Sequence, residues 1–326
     1  MATILITHGV PAERFALLKP NTLLIPKPGK AFGHGKLLDL VPGCDAIVAC
    51  GPMDQQILKE CRRCRLIAVY GAGYDAVDVA AATRYGIPVC NIPDTVTETT
   101  AQLAMAQLLT LLRRVSEMDR KLRSKETDHS LFTMGGSMGV SPEGMTLGIV
   151  GMGRIGARVA EFGRFLQMRV VYTNPSIKPY SVTGNARRLP LAELLRVADV
   201  VSLHCPLRAG NYHLIGAEEL RLMKPTAFLL NSARGKLIDE AALADALEKG
   251  QISGAALDVF ENEPDITERL KRMDNVVLTP HIGSNTLRTR NRMAEQCAEE
   301  IRNALAGRKP DNLLNPQVWV NPDTDI

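Results

Sequence analysis

A glycine-rich segment in the middle of the chain has the residue types and spacing that could bind phosphate. Gly151-Met-Gly153-Arg-Ile-Gly156 matches the pattern G-x-G-x-x-G, between a predicted strand over residues 147–150 and a predicted helix from Ile155 onward. In such a turn Gly151 permits the tight bend, Gly153 lets the backbone approach a pyrophosphate, and Gly156 allows close helix–strand packing. The helix amino terminus adds free N–H groups and a positive dipole end. The pattern predicts a dinucleotide-binding site. The alternative is an ordinary glycine-rich turn between a strand and a helix, which can have the same sequence pattern.

The end of the next predicted strand bears on whether that dinucleotide carries a 2′-phosphate. NAD sites usually place an acidic residue about 20 residues beyond the glycines, where it bonds the ribose hydroxyl. Here the segment around Asn174 reads Tyr-Thr-Asn-Pro-Ser, and no acidic residue follows until Glu193. Asn and Ser can donate to a phosphate whose charge Lys178, Arg187 or Arg188 could neutralise, whereas Asn174 could also bond a bare ribose. The sequence favours NADP over NAD.

Three further side chains lie just beyond the last three predicted strands, where doubly wound α/β folds place their ligand-binding sites. Arg234 lies in Asn-Ser-Ala-Arg-Gly, Glu263 in Asp-Val-Phe-Glu-Asn-Glu-Pro, and His281 in Thr-Pro-His-Ile-Gly. Each alone could be a surface charge, a solvated loop acid or a turn histidine. Together, downstream of a dinucleotide loop, they predict an active site.

The elements that must position these residues are short apolar runs alternating with helical patterns, which indicates α/β architecture with parallel sheets. Predicted strands cover residues 4–7, 46–49, 66–70, 88–91, 146–150, 169–172, 200–203, 227–231, 254–258 and 276–279. Residues 97–123 are rich in Leu, Ala and Met without Gly or Pro, and predict one long helix. We expect two Rossmann-like doubly wound domains. The outer, substrate domain would combine residues 1–98 with 287–326, and residues 99–286 would form the dinucleotide-binding domain.

Length and composition agree with a two-domain globular protein. The chain has 326 residues, of which 45% are hydrophobic and 23% charged, with a formal net charge of +4 spread along it. Neither a nucleic-acid nor a membrane partner is therefore expected, and no signal peptide is evident. The seven cysteines are scattered, which suits free thiols in the cytoplasm. Cys61 and Cys64 have C-x-x-C spacing but no second ligand pair, so no metal is expected.

In the order of these segments the chain resembles the D-isomer-specific 2-hydroxyacid dehydrogenases, and the resemblance spans nearly the whole chain. The segments Gly-Ala-Gly-Tyr-Asp at 71–75, Asn-Ile-Pro at 91–93 and Asn-Pro at 315–316 fit it too. Within the family, residues 97–99 and the C-terminal tail look most like the glyoxylate/hydroxypyruvate reductases. The resemblance implies reversible hydride transfer between NAD(P)H and a small 2-keto acid.

The resemblance also implies roles for individual residues. Arg234 would bind the substrate carboxylate and polarise the keto oxygen, and His281 would protonate that oxygen. Glu263, rather than Glu261, would hold the imidazole and favour its protonated form. The backbone amides of Ala72 and Gly73 would receive the substrate carboxylate. The positions that would bind the cofactor are Thr100, Gly151, Gly153, Arg154, Ile155, Gly156, Asn174, Pro206, Asn211, Ser232, Ala233, Asp258, Gly283 and Ser284, with Asp258 at the nicotinamide amide.

Family members also form homodimers through a region resembling residues 99–144, so a homodimer is expected. Two alternatives share the family's features. Corepressors of the C-terminal-binding-protein type have the same fold and the Arg/Glu/His set, but this chain shows no long flexible tail or recruitment segment. Phosphoglycerate dehydrogenases often carry additional C-terminal regulatory domains, which are not evident here.

Overall fold

The structure is a computed structural model that describes residues 1–10, 12–124 and 129–319. The chain divides into two compact units. The first unit contains residues 1–96 and the chain from Thr286 onward, and the second contains Thr97–Asn285. The boundaries predicted from the sequence, after residues 98 and 286, lie two residues and one residue beyond those of the structure. The first boundary is earlier in the structure because a helix begins at Thr97. The end of the predicted outer domain, residues 320–326, lies outside the described residues.

Strands and helices alternate along both units. The strands are β1 (Thr3–Ile6), β2 (Thr22–Leu24), β3 (Ala46–Ala49), β4 (Ile67–Val69), β5 (Val89–Cys90), β6 (Thr146–Val150), β7 (Arg169–Thr173), β8 (Arg187–Arg188), β9 (Val200–Leu203), β10 (Phe228–Asn231), β11 (Gly254–Leu257) and β12 (Val276–Leu278). The α-helices are α1 (His34–Leu40), α2 (Gln55–Glu60), α3 (Val79–Arg84), α4 (Thr97–Leu112), α5 (Val115–Arg123), α6 (Arg154–Phe165), α7 (Tyr180–Thr183), α8 (Leu191–Val197), α9 (Ala217–Leu222), α10 (Glu240–Glu248), α11 (Glu268–Lys271) and α12 (Leu287–Leu305).

Each unit is built on one parallel sheet. In the described part of the chain, the first unit has the strand order β2-β1-β3-β4-β5 and the second β12-β11-β10-β9-β6-β7-β8. In the second sheet β6 pairs with β7 on one side and with β9 on the other. Ligands of doubly wound folds bind at such a switch point, beyond the carboxyl ends of the strands. The predicted α/β fold with two Rossmann-like sheets is confirmed.

Helices cover both faces of each sheet, which is why the strands are apolar throughout. In β9, Val201 and Leu203 pack with α8, α9 and α10, whereas Val200 packs with α4 and α6 on the opposite face. Several helices begin at a side chain that accepts a backbone N–H of the first turn, as the capping preference of Asp and Thr predicts. These residues are Asp54, Asp78, Asp239 and Thr286.

The prediction of one long helix over residues 97–123 is wrong. α4 ends at Leu112, and α5 begins at Val115 after Arg114 adopts a left-handed conformation with φ of +55°. The Arg114 guanidinium binds both carboxylate oxygens of Glu117, at 2.7 and 2.6 Å. This ion pair stabilises a break that neither Gly nor Pro marks in the sequence. Strands β2 and β8, which lie at the edges of their sheets, were also not predicted: β2 is only three residues long, and β8 consists of two exposed arginines.

Cys61 and Cys64 lie between α2 and β4 as buried free thiols. Burial raises the pKa of Cys61 to about 12, which leaves it protonated and weakly nucleophilic. No group of side chains suited to holding a metal occurs among the described residues. In the same part of the chain, no helix combines the length and the apolar composition needed to cross a membrane.

Candidate active site

The glycine-rich segment forms the turn between β6 and α6. Gly151 has φ of +101°, and a Cβ there would lie 2.6 Å from the backbone nitrogen of Cys205 on the neighbouring strand end. Glycine is therefore required at this position. Gly153, which precedes the first residue of α6, is different, because a Cβ there would meet no atom within 4 Å. The space in front of the helix amino terminus is open, as binding of a pyrophosphate requires. Arg154 and Ile155 form the first turn of the helix behind it.

Polar side chains follow the adjoining strand ends, and two of them have unpartnered buried atoms. His204 follows β9, and its Nε2 is 2.8 Å from the Ser202 hydroxyl. Burial lowers the pKa of His204 to about 4, so its ring is neutral at physiological pH. Within the described residues, His204 Nδ1 and the hydroxyl of Ser232, just after β10, have no hydrogen-bond partner. Buried polar atoms rarely stay unpaired, so a ligand with complementary groups fits this edge.

Asn174 stands at the end of β7, where the ribose of a dinucleotide would be expected. Its Nδ2 donates to the carbonyl of Ser176 at 3.1 Å. The Arg188 guanidinium donates to the backbone carbonyls of Asn174 and Pro175, at 2.9 and 3.0 Å. Among the residues that the structure describes, no acidic side chain is hydrogen-bonded to this loop, and the guanidinium of Arg188 is fixed against it. Pro206 and Asn211 form a separate loop after β9, where Asn211 Nδ2 donates to the Pro206 carbonyl at 2.8 Å.

Arg234 is held by the turn that follows β10. The fully buried Asn231 accepts the N–H of Ala233 at 3.0 Å and donates to the carbonyl of Arg234 at 2.8 Å. At Gly235, a Cβ would lie 1.9 Å from the carbonyl of Phe260, so only glycine permits the two backbones to approach this closely. This contact brings Arg234 beside the segment that carries Glu263. Asn231 begins the sequence motif that contains Arg234, and its supporting role is evident only in the fold.

Glu263 and His281 form a hydrogen-bonded pair. His281 Nδ1 donates to Glu263 Oε2 at 2.9 Å, and the other carboxylate oxygen accepts the N–H of Phe260 at 3.0 Å. Burial acts to raise the pKa of Glu263, but these bonds and the positive charges of His281 and Arg234 lower it below its ordinary value. The His281 side chain is 53% exposed, so Nε2, the ring nitrogen not bonded to Glu263, can reach a ligand. The arrangement can transfer a proton next to a bound anion.

Buried Asp258 holds the loop that carries His281. Its Oδ1 accepts the Thr279 hydroxyl at 2.6 Å and the N–H of Ile282 at 2.8 Å, and its Oδ2 accepts the N–H of Gly283 at 2.9 Å. These bonds support a loop in which His281 itself has φ of +52°. Thr100 on α4 packs against Gly283, and Ser284 follows directly in the chain. The sequence placed Asp258 at the cofactor, and the structure adds this supporting role.

Glu261 pairs with different residues. One of its oxygens accepts both the Tyr212 hydroxyl at 2.7 Å and His213 Nε2 at 2.8 Å. The Tyr212 and His213 rings stack with centroids 4.0 Å apart. Of the two glutamates that the sequence offered, Glu263 is therefore the one in contact with His281. No motif drew attention to Tyr212 or His213.

Ala72 and Gly73 lie in the first unit, in the loop after β4. Asn91 Nδ2 donates to the Ala72 carbonyl at 2.6 Å, which fixes the loop at the carboxyl end of that sheet. All other predicted site residues belong to the second unit, at the carboxyl ends of its strands or in α4 and α6.

Comparison with known proteins identifies the family of this chain. Residues 105–283 match the family described as D-isomer specific 2-hydroxyacid dehydrogenase, NAD binding domain. The glyoxylate reductase of Korarchaeum cryptofilum is 43% identical over 290 residues, 86% of each chain. This chain belongs to the D-isomer specific 2-hydroxyacid dehydrogenase family. The predicted family and its enzyme class, an NAD(P)-dependent 2-hydroxyacid dehydrogenase, are confirmed.

Solved structures of similar proteins agree with the assignment of this chain to the family. A glyoxylate reductase from Paecilomyes thermophila is 32% identical and superposes with a TM-score of 0.88, covering 97% of this chain and 99% of that one. The NADPH-dependent glyoxylate/hydroxypyruvate reductase of Sinorhizobium meliloti, solved with NADP and malonate, is 27% identical with a TM-score of 0.84, covering 98% of each chain. The open space at Gly153 and the unpartnered atoms of His204 and Ser232 fit the dinucleotide of this family.

The open space at Gly153 predicts that a side chain at this position would interfere with cofactor binding but not with folding. Gly153→Ala should leave the melting temperature unchanged, since the methyl group meets no protein atom, but should raise the dissociation constant for NADPH about tenfold or more. Gly43→Ala is a matched control, because a Cβ at Gly43 also meets no atom within 4 Å. Cofactor fluorescence titration and thermal unfolding measure both effects. Equal NADPH affinity in Gly153→Ala and the wild type would contradict the assignment of this turn.

Proposed function

We propose that the dehydrogenase reduces glyoxylate and closely related small 2-keto acids such as hydroxypyruvate, with NADPH as the preferred cofactor. The observation that carries this proposal is the 2.9 Å contact between His281 and Glu263, next to the positive charge of Arg234. The glyoxylate reductases among the similar proteins support the choice of substrate.

Arg234 binds the substrate carboxylate in this proposal. Its planar guanidinium can donate two parallel hydrogen bonds to a carboxylate, which the point charge of Lys cannot reproduce. The same group polarises the keto oxygen of a bound 2-keto acid. Asn231 and Gly235 place it there through the turn described above. The backbone amides of Ala72 and Gly73 also bind the substrate carboxylate in this proposal, on the loop after β4 that the Asn91 side chain fixes.

His281 supplies the proton. Glu263 accepts the hydrogen bond from the Nδ1–H of His281, so the Nε2–H is left to donate its proton to the keto oxygen. When bound, the reduced nicotinamide supplies the hydride that reaches the keto carbon. Glu263 stays ionised at neutral pH because its pKa is lowered, and its negative charge stabilises the imidazolium from which the proton leaves. The residues that would hold the cofactor are those at the glycine turn and at the strand ends.

The preference for NADPH rests on the loop at Asn174. The side chains of Asn174 and Ser176 and the guanidinium of Arg188 lie at this loop and can donate hydrogen bonds to a 2′-phosphate. The 174–178 segment contains no acidic residue that would repel the phosphate. The NADP bound to the Sinorhizobium meliloti reductase supports the same choice for this chain.

The function is tested by assaying the purified enzyme with glyoxylate and hydroxypyruvate, using NADPH and NADH in parallel. We expect consumption of NADPH with a higher kcat/KM than NADH.

Arg234→Lys should lower kcat/KM for the keto acid about 100-fold or more while leaving NADPH affinity unchanged. Arg221→Lys, on the exposed face of α9, is the control and should behave as wild type. Unchanged kcat/KM in Arg234→Lys would remove this residue from the substrate site, and a higher kcat/KM with NADH would overturn the cofactor preference.

The carboxylate partner of His281 should control the pH dependence. Reduction needs the protonated imidazole, and the ionised Glu263 favours that form, so the rate of Glu263→Gln should fall to half its maximum at a lower pH than wild type. At pH 8 its kcat should be reduced about tenfold. Glu261→Gln removes the same charge two residues away, next to His213, and should leave the profile unchanged. Identical profiles for Glu263→Gln and wild type would refute the pair.

We also propose a homodimer formed through the second unit. Several apolar side chains on α5 and in the segment that follows it are exposed, including Val115, Phe132, Met134 and Met138. Exposed apolar groups in one segment are typical of an interface. Residues 125–128 of this region lie outside the described residues.

Light scattering should give twice the monomer mass of 35.5 kDa. Phe132→Lys with Met134→Lys should shift that mass towards the monomer. The control Ile177→Lys changes an equally exposed apolar side chain elsewhere on the same unit and should not. A monomeric wild type at micromolar concentration would contradict the proposal.

The free state of the cysteines supports the proposal that the enzyme acts in the cytoplasm, a reducing compartment. Recovery of the native protein from a secreted or periplasmic fraction would contradict it.

A further inference from the structure

A buried glutamine on α4 lies beneath the loop that carries His281. Gln107 is 2% exposed, and its Nε2 donates to the Thr279 hydroxyl oxygen at 2.8 Å. Thr100 lies seven residues earlier on the same face of the helix and packs against Gly283. Two turns of α4 therefore run along residues 279–283, and Gln107 is the polar contact at the start of that segment.

The donors and acceptors in this contact have a fixed order. The Asp258 carboxylate accepts two backbone N–H groups of the loop, so Thr279 must donate its single hydroxyl proton to Asp258 Oδ1, 2.6 Å away. The Thr279 oxygen can then only accept from Gln107, which must present its NH₂ group. The hydrogen bonds run in one direction, from Gln107 to Thr279 and from Thr279 to Asp258.

The carbonyl oxygen at the end of the Gln107 side chain makes an unfavourable contribution to the stability of the protein. Gln107 Oε1 is buried and, within the described residues, has no hydrogen-bond partner. An unpaired buried carbonyl oxygen is unfavourable, and the surrounding residues Ala104, Leu108 and Leu111 belong to an apolar core. An apolar side chain would avoid this cost, so the donor end of Gln107 has to account for its presence.

We propose that Gln107 is a positioning residue for catalysis, acting through Thr279 and Asp258 on the loop that holds His281. The inference rests on the proposed function, in which His281 is the proton donor. By fixing the Thr279 hydroxyl, Gln107 orients one of the three donors that surround Asp258. Asp258 in turn binds the N–H groups immediately after His281, the residue with φ of +52°. Gln107 itself touches neither substrate nor cofactor.

This role predicts a specific kinetic signature. Gln107→Leu removes the donor with little change in volume, so the proton donor is less well held and kcat should fall about five- to tenfold. KM for glyoxylate should change less than about twofold, because Arg234 and its turn are untouched. Gln102→Leu is the matched control: it makes the same chemical change on the exposed side of α4, where Gln102 bonds Glu98, and should leave kcat unchanged.

A double-mutant cycle separates positioning from general stabilisation. Thr279→Val removes the hydroxyl and should lower kcat at least as much as Gln107→Leu, whereas Thr279→Ser keeps the hydroxyl and should restore a near-wild-type kcat. If Gln107 acts through Thr279, adding Gln107→Leu to Thr279→Val should lower kcat no further. Multiplicative losses in the double variant, or wild-type kcat in folded Gln107→Leu, would overturn the proposal. If Gln107→Leu does not fold, Gln107→Met, with its unbranched side chain of similar length, takes its place in the cycle.

A measurement independent of activity distinguishes failure of this proposal from failure of the proposed function. Hydrogen exchange of the Ile282 and Gly283 amides should be faster in Gln107→Leu than in wild type and in Gln102→Leu. A wild-type enzyme inactive on 2-keto acids would refute the proposed function, while faster exchange at these two amides would still support the hydrogen-bond chain. Unchanged exchange at both amides would refute the chain even in an active enzyme.

Discussion

Asp258 carries a buried negative charge at the end of a strand, and much of the active site follows from how that charge is accommodated. A buried carboxylate is tolerated only where donors surround both of its oxygens. Here the donors are the Thr279 hydroxyl and two backbone N–H groups of the loop beyond β12. The loop must bend back over Asp258 to provide them, and His281 lies within that bend. The requirement to satisfy one charge thus fixes the backbone of His281, the proton donor of the proposed function.

The second constraint is the close approach at Gly235, which brings the other two members of the site together. Because the backbone of Gly235 lies directly against Phe260, the turn with Arg234 and the segment with Glu263 cannot move independently. The N–H of Phe260 also donates to Glu263, so one residue contacts both segments. Burial acts to raise the pKa of Glu263, but the hydrogen bonds from His281 and Phe260 lower it, and the nearby positive charge of Arg234 lowers it slightly further. In the proposed function, backbone packing as well as charge therefore couples the substrate-binding Arg234 to the His281–Glu263 pair.

The sequence predicted the parts of this site that depend on local geometry. The turn at Gly151 and the polar residues after successive strands follow from short-range rules, so the strand ends could be placed before the structure was known. The break at Arg114 could not, because it depends on an ion pair with Glu117 rather than on a helix-breaking residue. The same limit applies to Gln107, whose spacing in α4 is that of any helical side chain. Its significance depends on Thr279, which is distant in sequence and adjacent only in the fold.

Polar atoms that are unpaired within the described residues lower the stability of the protein at the strand ends. His204 Nδ1 and the Ser232 hydroxyl belong to adjacent strand ends beside the glycine turn, and each costs free energy while no protein group pairs with it. Apolar residues of similar size would pack there without that cost. In the proposed function the dinucleotide binds at this edge, so groups on the cofactor can provide the missing partners. The binding edge is thus a place where the fold is less stable than it could be, and cofactor binding offsets part of that deficit.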